Sequence, residues 1–213
     1  MQAILDHDEN RHPDVAVEAW WWWGATDDSS AGIFVGLELR GQRFDYRAGL
    51  VRRDSPYLYI EEIDGEGLRG GLEIKPPQLW ADHICDAPMR QWSLVNETYG
   101  VLIDEPADVW TRPYGTLVPV TFDIEWHASA DPVVIAHGYE QVGEFDAEVE
   151  LTEGVLQLSG PARRVHVWGV PYIPTAFAMP TVEPSLRAPY RRFDGVQILQ
   201  VLGRNGWFGR RVG

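Results

Sequence analysis

Cysteine is almost missing from this chain. Cys85 is the one thiol among 213 residues, so no intramolecular disulfide braces the fold. Lysine is nearly as scarce, with Lys75 alone against 17 arginines. No run of 18 apolar residues occurs, which excludes a transmembrane helix. Met1 to Asn10 has neither the basic region nor the apolar run of a signal peptide, and the expectation is a cytoplasmic protein. Gly65-Glu66-Gly67 is a turn rather than a glycine-rich phosphate loop opening a helix, and Gly-x-Ser-x-Gly is absent; both absences argue against nucleotide cofactors and a serine nucleophile. The six histidines, His7, His12, His83, His127, His137 and His166, form no His-x-His pair, no His-Glu-x-x-His helix and no Cys/His cluster. The expectation is therefore no cofactor and no metal, since a metal would need ligands assembled by long-range folding.

Tryptophan is abundant. Ten are present, and Trp carries the largest apolar area of any side chain, so either a large aromatic core or a cavity for a bulky apolar ligand is implied. The net charge of −14 is unevenly spread: residues 1–160 hold 10 Lys+Arg and 30 Asp+Glu, residues 161–213 hold 8 and 2. The acidic body repels nucleic acid and anionic membrane, so neither is an expected partner. The basic end has three readings: docked on the body, holding an anion, or simply solvated. The composition leaves a homodimer open.

Strand patterns dominate. Runs at 15–23, 31–40, 43–51 and 56–63 are rich in β-branched and aromatic residues, with hairpin signals at Asp27 to Gly32 and at Arg40-Gly41-Gln42. Further strands are expected at 90–95, 98–104, 116–127, 133–142, 145–152, 155–160, 163–169 and 195–202. A short helical turn is expected over 78–86. Fifteen prolines and 21 glycines sit badly with long helices, so many short strands at close spacing predict an all-β antiparallel barrel or sandwich with little helix. Five prolines within 171–192 mark a long loop, either a lid over a barrel mouth or an irregular connector. Two packed β units are expected, 12–128 and 129–213, in one compact body.

Three stretches carry the chemistry. In Arg163 to Gly169, strand alternation puts Arg164, His166 and Trp168 on one face and Val165 and Val167 on the other. In Glu18 to Trp23, Glu18, Trp20 and Trp22 share a face. A carboxylate among indoles is poorly solvated, which raises its pKa and suits a general acid; the plainer reading is a Trp-lined core with Glu18 paired to an arginine. In His137 to Gln141, Tyr139 and Gln141 point inward together if Glu140 faces solvent, and a phenol and an amide are usual polar fixtures of an apolar pocket. Phe122 to His127 alternates cleanly. Asp123, Glu125 and His127 either form an outer polar face or, with the strand reversed, line a cavity.

These segments resemble the lipocalin-like hydroxyneurosporene synthase (carotenoid 1,2-hydratase) and AttH superfamily. Glu18-Ala19-Trp20-Trp21-Trp22 is similar to its Glu-Trp-Trp-Tyr motif, and Ala87-Pro88-Met89-Arg90-Gln91-Trp92-Ser93-Leu94 to its Glu-Pro-x-x-x-Trp-x-Leu segment. Val118 to Trp126, Gly138-Tyr139-Glu140-Gln141 and Arg164-Val165-His166-Val167-Trp168-Gly169 follow in the family's order. The resemblance implies two lipocalin-like β units, a hydrophobic ligand and cofactor-free hydration or cyclisation of polyenes, with His166 and Trp168 in the site. Val165 and Val167 stand where the family has Asp and Ser.

The expected function is cofactor-independent cyclisation, isomerisation or hydration of a small hydrophobic, polyunsaturated metabolite. His166, Glu18 and Tyr139 are the candidate catalytic groups. Trp20, Trp22, Trp168, Arg164, Glu125 and Gln141 are the candidate substrate contacts. The alternative is a non-catalytic carrier of a hydrophobic ligand.

Overall fold

The computed structural model describes residues 4–28, 30–52, 55–104 and 114–172, together with the backbone of 191–193, 196–200 and 207–211. Ten strands form one antiparallel sheet: β1 (Glu18–Ala25), β2 (Ala31–Arg40), β3 (Arg43–Arg52), β4 (Tyr57–Gly65), β5 (Leu79–Ala87), β6 (Gln91–Ile103), β7 (Thr116–Ala128), β8 (Val133–Ile135), β9 (Gly138–Leu151) and β10 (Gly154–Trp168). Neighbours follow chain order from β1 to β4, then β6, β7, β9 and β10, and β10 pairs back onto β1. That closure makes an up-and-down barrel, which removes the exposed edges of an open sheet. β5 pairs with the first half of β6 and β4 with its end. The all-β antiparallel expectation is met.

The strand layout differs from the expected one at several points. The helical turn at 78–86 is strand β5, because Leu79, Ala81 and His83 are buried at period two while Trp80 and Asp82 are only partly so. The boundary at 128/129 divides no sheet: β7 pairs with β9 across it, and β10 pairs with β1 from the chain's other end. The second sheet is instead the small one of β11 (Arg191–Phe193), β12 (Val196–Gln200) and β13 (Trp207–Arg211). The expected strand pairs at 90–95 with 98–104 and at 155–160 with 163–169 are the single long strands β6 and β10. Most of the proline-rich loop at 171–192 lies outside the described residues.

Two apolar clusters flank β1. Trp20 and Trp22 face the barrel interior with Trp92, Trp126, Phe122, Phe145, Leu37 and Leu39. Ala19, Trp21 and Trp23 lie on the outer face and are also buried, among Phe34, Val51, Tyr57, Val165 and Val167. The four consecutive tryptophans therefore serve two cores. Beside Trp22 side chains fill the interior: the gap among Trp22, Ile33, Val35, Leu94, Ile124, Trp126 and Phe145 is about 10 Å³, room for about one water.

Candidate active site at one barrel end

Strands β9, β10 and β1 lie side by side, and their register builds the site in rows. Tyr139, His166 and Trp20 are cross-strand partners in one row; Gln141, Arg164 and Trp22 in the next; Trp168 pairs with Glu18 at the rim. Gly138 permits this approach, since a Cβ there would lie 1.9 Å from the carbonyl oxygen of His166. Gly138→Ala should therefore cost about 1–3 kcal/mol by overpacking and part β9 from β10 beside His166; a lowered urea midpoint with a perturbed His166 ring resonance checks this.

The chain before β1 closes this end. A short 3-10 helix, Asp6–Glu9, carries Glu9 inward, and the irregular segment that follows it carries His12. Glu9 is 2% exposed and Arg164 is 1% exposed, so their pairing removes two charges from water together. Arg164 donates Nη1 to Glu9 Oε2 at 2.7 Å, Nη2 to Glu9 Oε1 at 2.6 Å, and both Nε and Nη2 to Gln141 Oε1 at 2.9 and 2.7 Å. Its guanidinium also lies 4.8 Å from the Trp126 ring centroid and 5.2 Å from that of Tyr139. Tyr139 donates its hydroxyl to Glu9 at 2.6 Å, and the Met89 N–H donates to Glu9 at 2.6 Å. Burial pushes the Glu9 carboxyl up, but Arg164, Tyr139 and Met89 outweigh it and hold the group below the ordinary carboxylate range.

This network redirects three expected site residues. Arg164 is committed to Glu9 and Gln141 instead of a substrate anion. Tyr139 spends its proton on Glu9, and burial pushes its pKa up. Gln141 accepts from Arg164 and donates to the carbonyls of Met89 and Ala130 at 3.0 and 2.7 Å. All three lock the N-terminal segment into the barrel. Glu125 is corrected more plainly: it lies on the outer face of β7, accepting from Gln91 and Ser93, because Phe122, Ile124 and Trp126 take the inward positions. Trp22 sits deeper, stacked on His83 at 5.7 Å.

The remaining groups converge. Glu18 Oε1 accepts from His166 Nε2 at 2.7 Å and from His12 Nδ1 at 2.6 Å, while Oε2 accepts the His12 backbone N–H at 2.9 Å. A carboxylate can only accept, so both ring nitrogens touching it carry their protons. In His166 that leaves Nδ1 as the lone-pair nitrogen, and it is buried without a hydrogen-bond partner. Burial lowers the His166 pKa below its usual value although Glu18 works against this, so the ring is neutral. Trp20 stacks on it at 4.4 Å, Tyr139 meets it edge-on at 5.5 Å, and Trp168 at 5.1 Å. His12, 23% exposed at the side chain, stacks on half-buried Trp168 at 4.4 Å and forms the outer wall. Ligand atoms of His12, Glu18 and His166 all lie within 4.8 Å of one another, the spacing of a set that could hold a metal ion.

Sequence reasoning missed Glu9 and His12. Neither lies in a strand pattern or motif, and the one available signal was a carboxylate and an imidazole in a chain start otherwise poor in apolar residues. Compared with protein-family models, curated proteins and solved structures, the chain matches none.

Proposed function

We propose that this protein is a cofactor-independent enzyme that moves a proton on a small hydrophobic, polyunsaturated metabolite, driving its isomerisation, hydration or cyclisation. The observation that carries the reading is His166: Glu18 fixes its tautomer through Nε2 and leaves Nδ1 as an unpartnered base among aromatic rings. A carboxylate that orients an imidazole is the recurring arrangement for general base catalysis. Glu18 stabilises the imidazolium formed when the base takes a proton, and the faces of Trp20 and Trp168 stabilise positive charge developing on the substrate. The resemblance to the polyene hydratases supports the same assignment of His166 and Trp168. Since the interior beside Trp22 is filled, the substrate meets His166 from the rim, where His12 and Trp168 are partly exposed.

The test is a screen of polyene metabolites by tryptophan quenching, followed by product analysis. His166→Gln should lower turnover by about 10²–10⁴-fold, the usual contribution of a positioned acid or base, with ligand affinity retained. Full turnover in that variant would sink the assignment. Ligand binding with no turnover in the unaltered chain would make the protein a carrier.

A further inference from the structure

We infer that His12, Glu18 and His166 form a binding site for one divalent first-row transition-metal ion, and that the ion switches off the base at His166. The inference rests on the site read above. Two imidazole nitrogens and one carboxylate oxygen are the donor set of three-ligand zinc and non-haem iron sites, and imidazole disfavours magnesium and calcium, which prefer oxygen. The three residues come from separate stretches: the segment before β1, the start of β1, and the end of β10. Both imidazole nitrogens already point at one atom, Glu18 Oε1, at 2.6 and 2.7 Å. Bonds of about 2.0–2.2 Å to a central ion in tetrahedral geometry separate ligand atoms by roughly 3.3–3.6 Å, so each contact has to open by roughly 0.6–1 Å. His12 lies at the partly exposed rim, which gives an ion a path from solvent.

The surroundings fit the ion-bound tautomer of His12, whereas that of His166 places an N–H at the buried, unpartnered Nδ1. Binding at His12 Nδ1 moves that ring's proton to Nε2, and Asp8 Oδ1 stands 3.6 Å from it as an outer carboxylate partner. Binding at His166 Nε2 requires its proton to leave that nitrogen and one to be taken up at Nδ1. In each ring the proton moves from the nitrogen that meets the ion to the other one. The consequence follows directly: Nδ1 of His166 is a lone-pair base without the ion and an N–H donor with it. Glu18 meanwhile trades two hydrogen bonds for the ion.

Titrating the full chain with zinc chloride by calorimetry, and with cobalt(II) chloride by visible absorption, tests the site. We expect one ion per chain and cobalt bands of a four- or five-coordinate centre. His12→Ala and Glu18→Gln should each weaken zinc binding by at least about tenfold, the lower end of what losing even an outer-shell partner costs. His127→Ala, an exposed histidine on the outer face of β7, should bind as the unaltered chain does. Thermal melts establish that the variants are folded. Histidine-ring nitrogen-15 spectra should show His166 Nδ1 turning from acceptor to N–H on zinc addition. No saturable binding, or unchanged binding in both variants, overturns the ion site and leaves the base assignment standing. A proton already on Nδ1 in the ion-free chain overturns the base assignment and leaves the ion site standing.

Discussion

Glu9→Gln should destabilise the fold by about 3–5 kcal/mol, the usual cost of stranding one partner of a buried ion pair. Arg164 is 1% exposed and takes both of its charged contacts from Glu9, so the neutral amide leaves a guanidinium without a counter-charge in the barrel. The amide also keeps only one of the two oxygens that now accept from Tyr139 and Met89. The discriminating measurement is a double-mutant cycle by urea denaturation. Glu9→Gln with Arg164→Met should recover most of the loss, because two neutral groups of similar volume carry no desolvated charge. If the single variant melts with the unaltered chain, the pair does not hold the segment in the barrel. If the double variant is as unstable as the single, packing rather than charge is responsible. The same network holds the segment that carries His12, so the single variant should also weaken zinc binding.

Acid should begin to destabilise the protein before its carboxylates protonate, through His83. This ring is buried between Trp22 and Tyr46 and donates Nδ1–H to the Leu72 carbonyl at 3.1 Å. Burial holds its pKa at about 4 instead of 6.5, against the opposing pull of Leu72. The unfolded chain therefore binds a proton that the folded chain refuses. Stability is full above pH 6.5, falls as pH drops towards 4, and levels off below that as far as His83 is concerned. The gap of about 2.5 pH units corresponds to about 3 kcal/mol. His166, also lowered by burial, adds to the loss with the same sign. Glu9 contributes separately and lower, since its carboxyl is held below 4.5. The check is urea midpoints between pH 7 and 4.5 for the unaltered chain and for His83→Gln. The variant should start less stable and show a shallower decline; parallel curves would exclude His83 as the acid-sensitive group.

Much of the barrel was legible in the residues. The alternation of β7 and β9 sorted their side chains onto two faces while leaving open which face of β7 turns inward, and Gly41-Gln42 marked a real two-residue turn between β2 and β3. The grouping of Glu18, Trp20 and Trp22 with His166 and Trp168 also follows from alternation plus one strand pairing. Other features were hidden for definable reasons. Apolar positions in β5 fit a short helix and a strand equally until pairing with β6 decided between them. The pairing of β7 with β9 across 128/129, and of β10 with β1, was hidden because no local signal shows which distant strands pair. Arg164, Tyr139 and Gln141 looked like pocket fixtures because their partner, Glu9, lies far away in sequence.

Strand content, the antiparallel class and which side chains share a face were determined by sequence alone, because period-two alternation and turn chemistry act over a few residues. Tertiary structure decided which of those side chains remain available for chemistry. Closing β10 onto β1 and folding the N-terminal segment into the barrel end consumes the hydrogen-bonding capacity of Arg164, Tyr139 and Gln141 and leaves Nδ1 of His166 unpaired. Hydrogen-bond saturation is a property of contacts made in three dimensions, and spacing along the chain does not encode it.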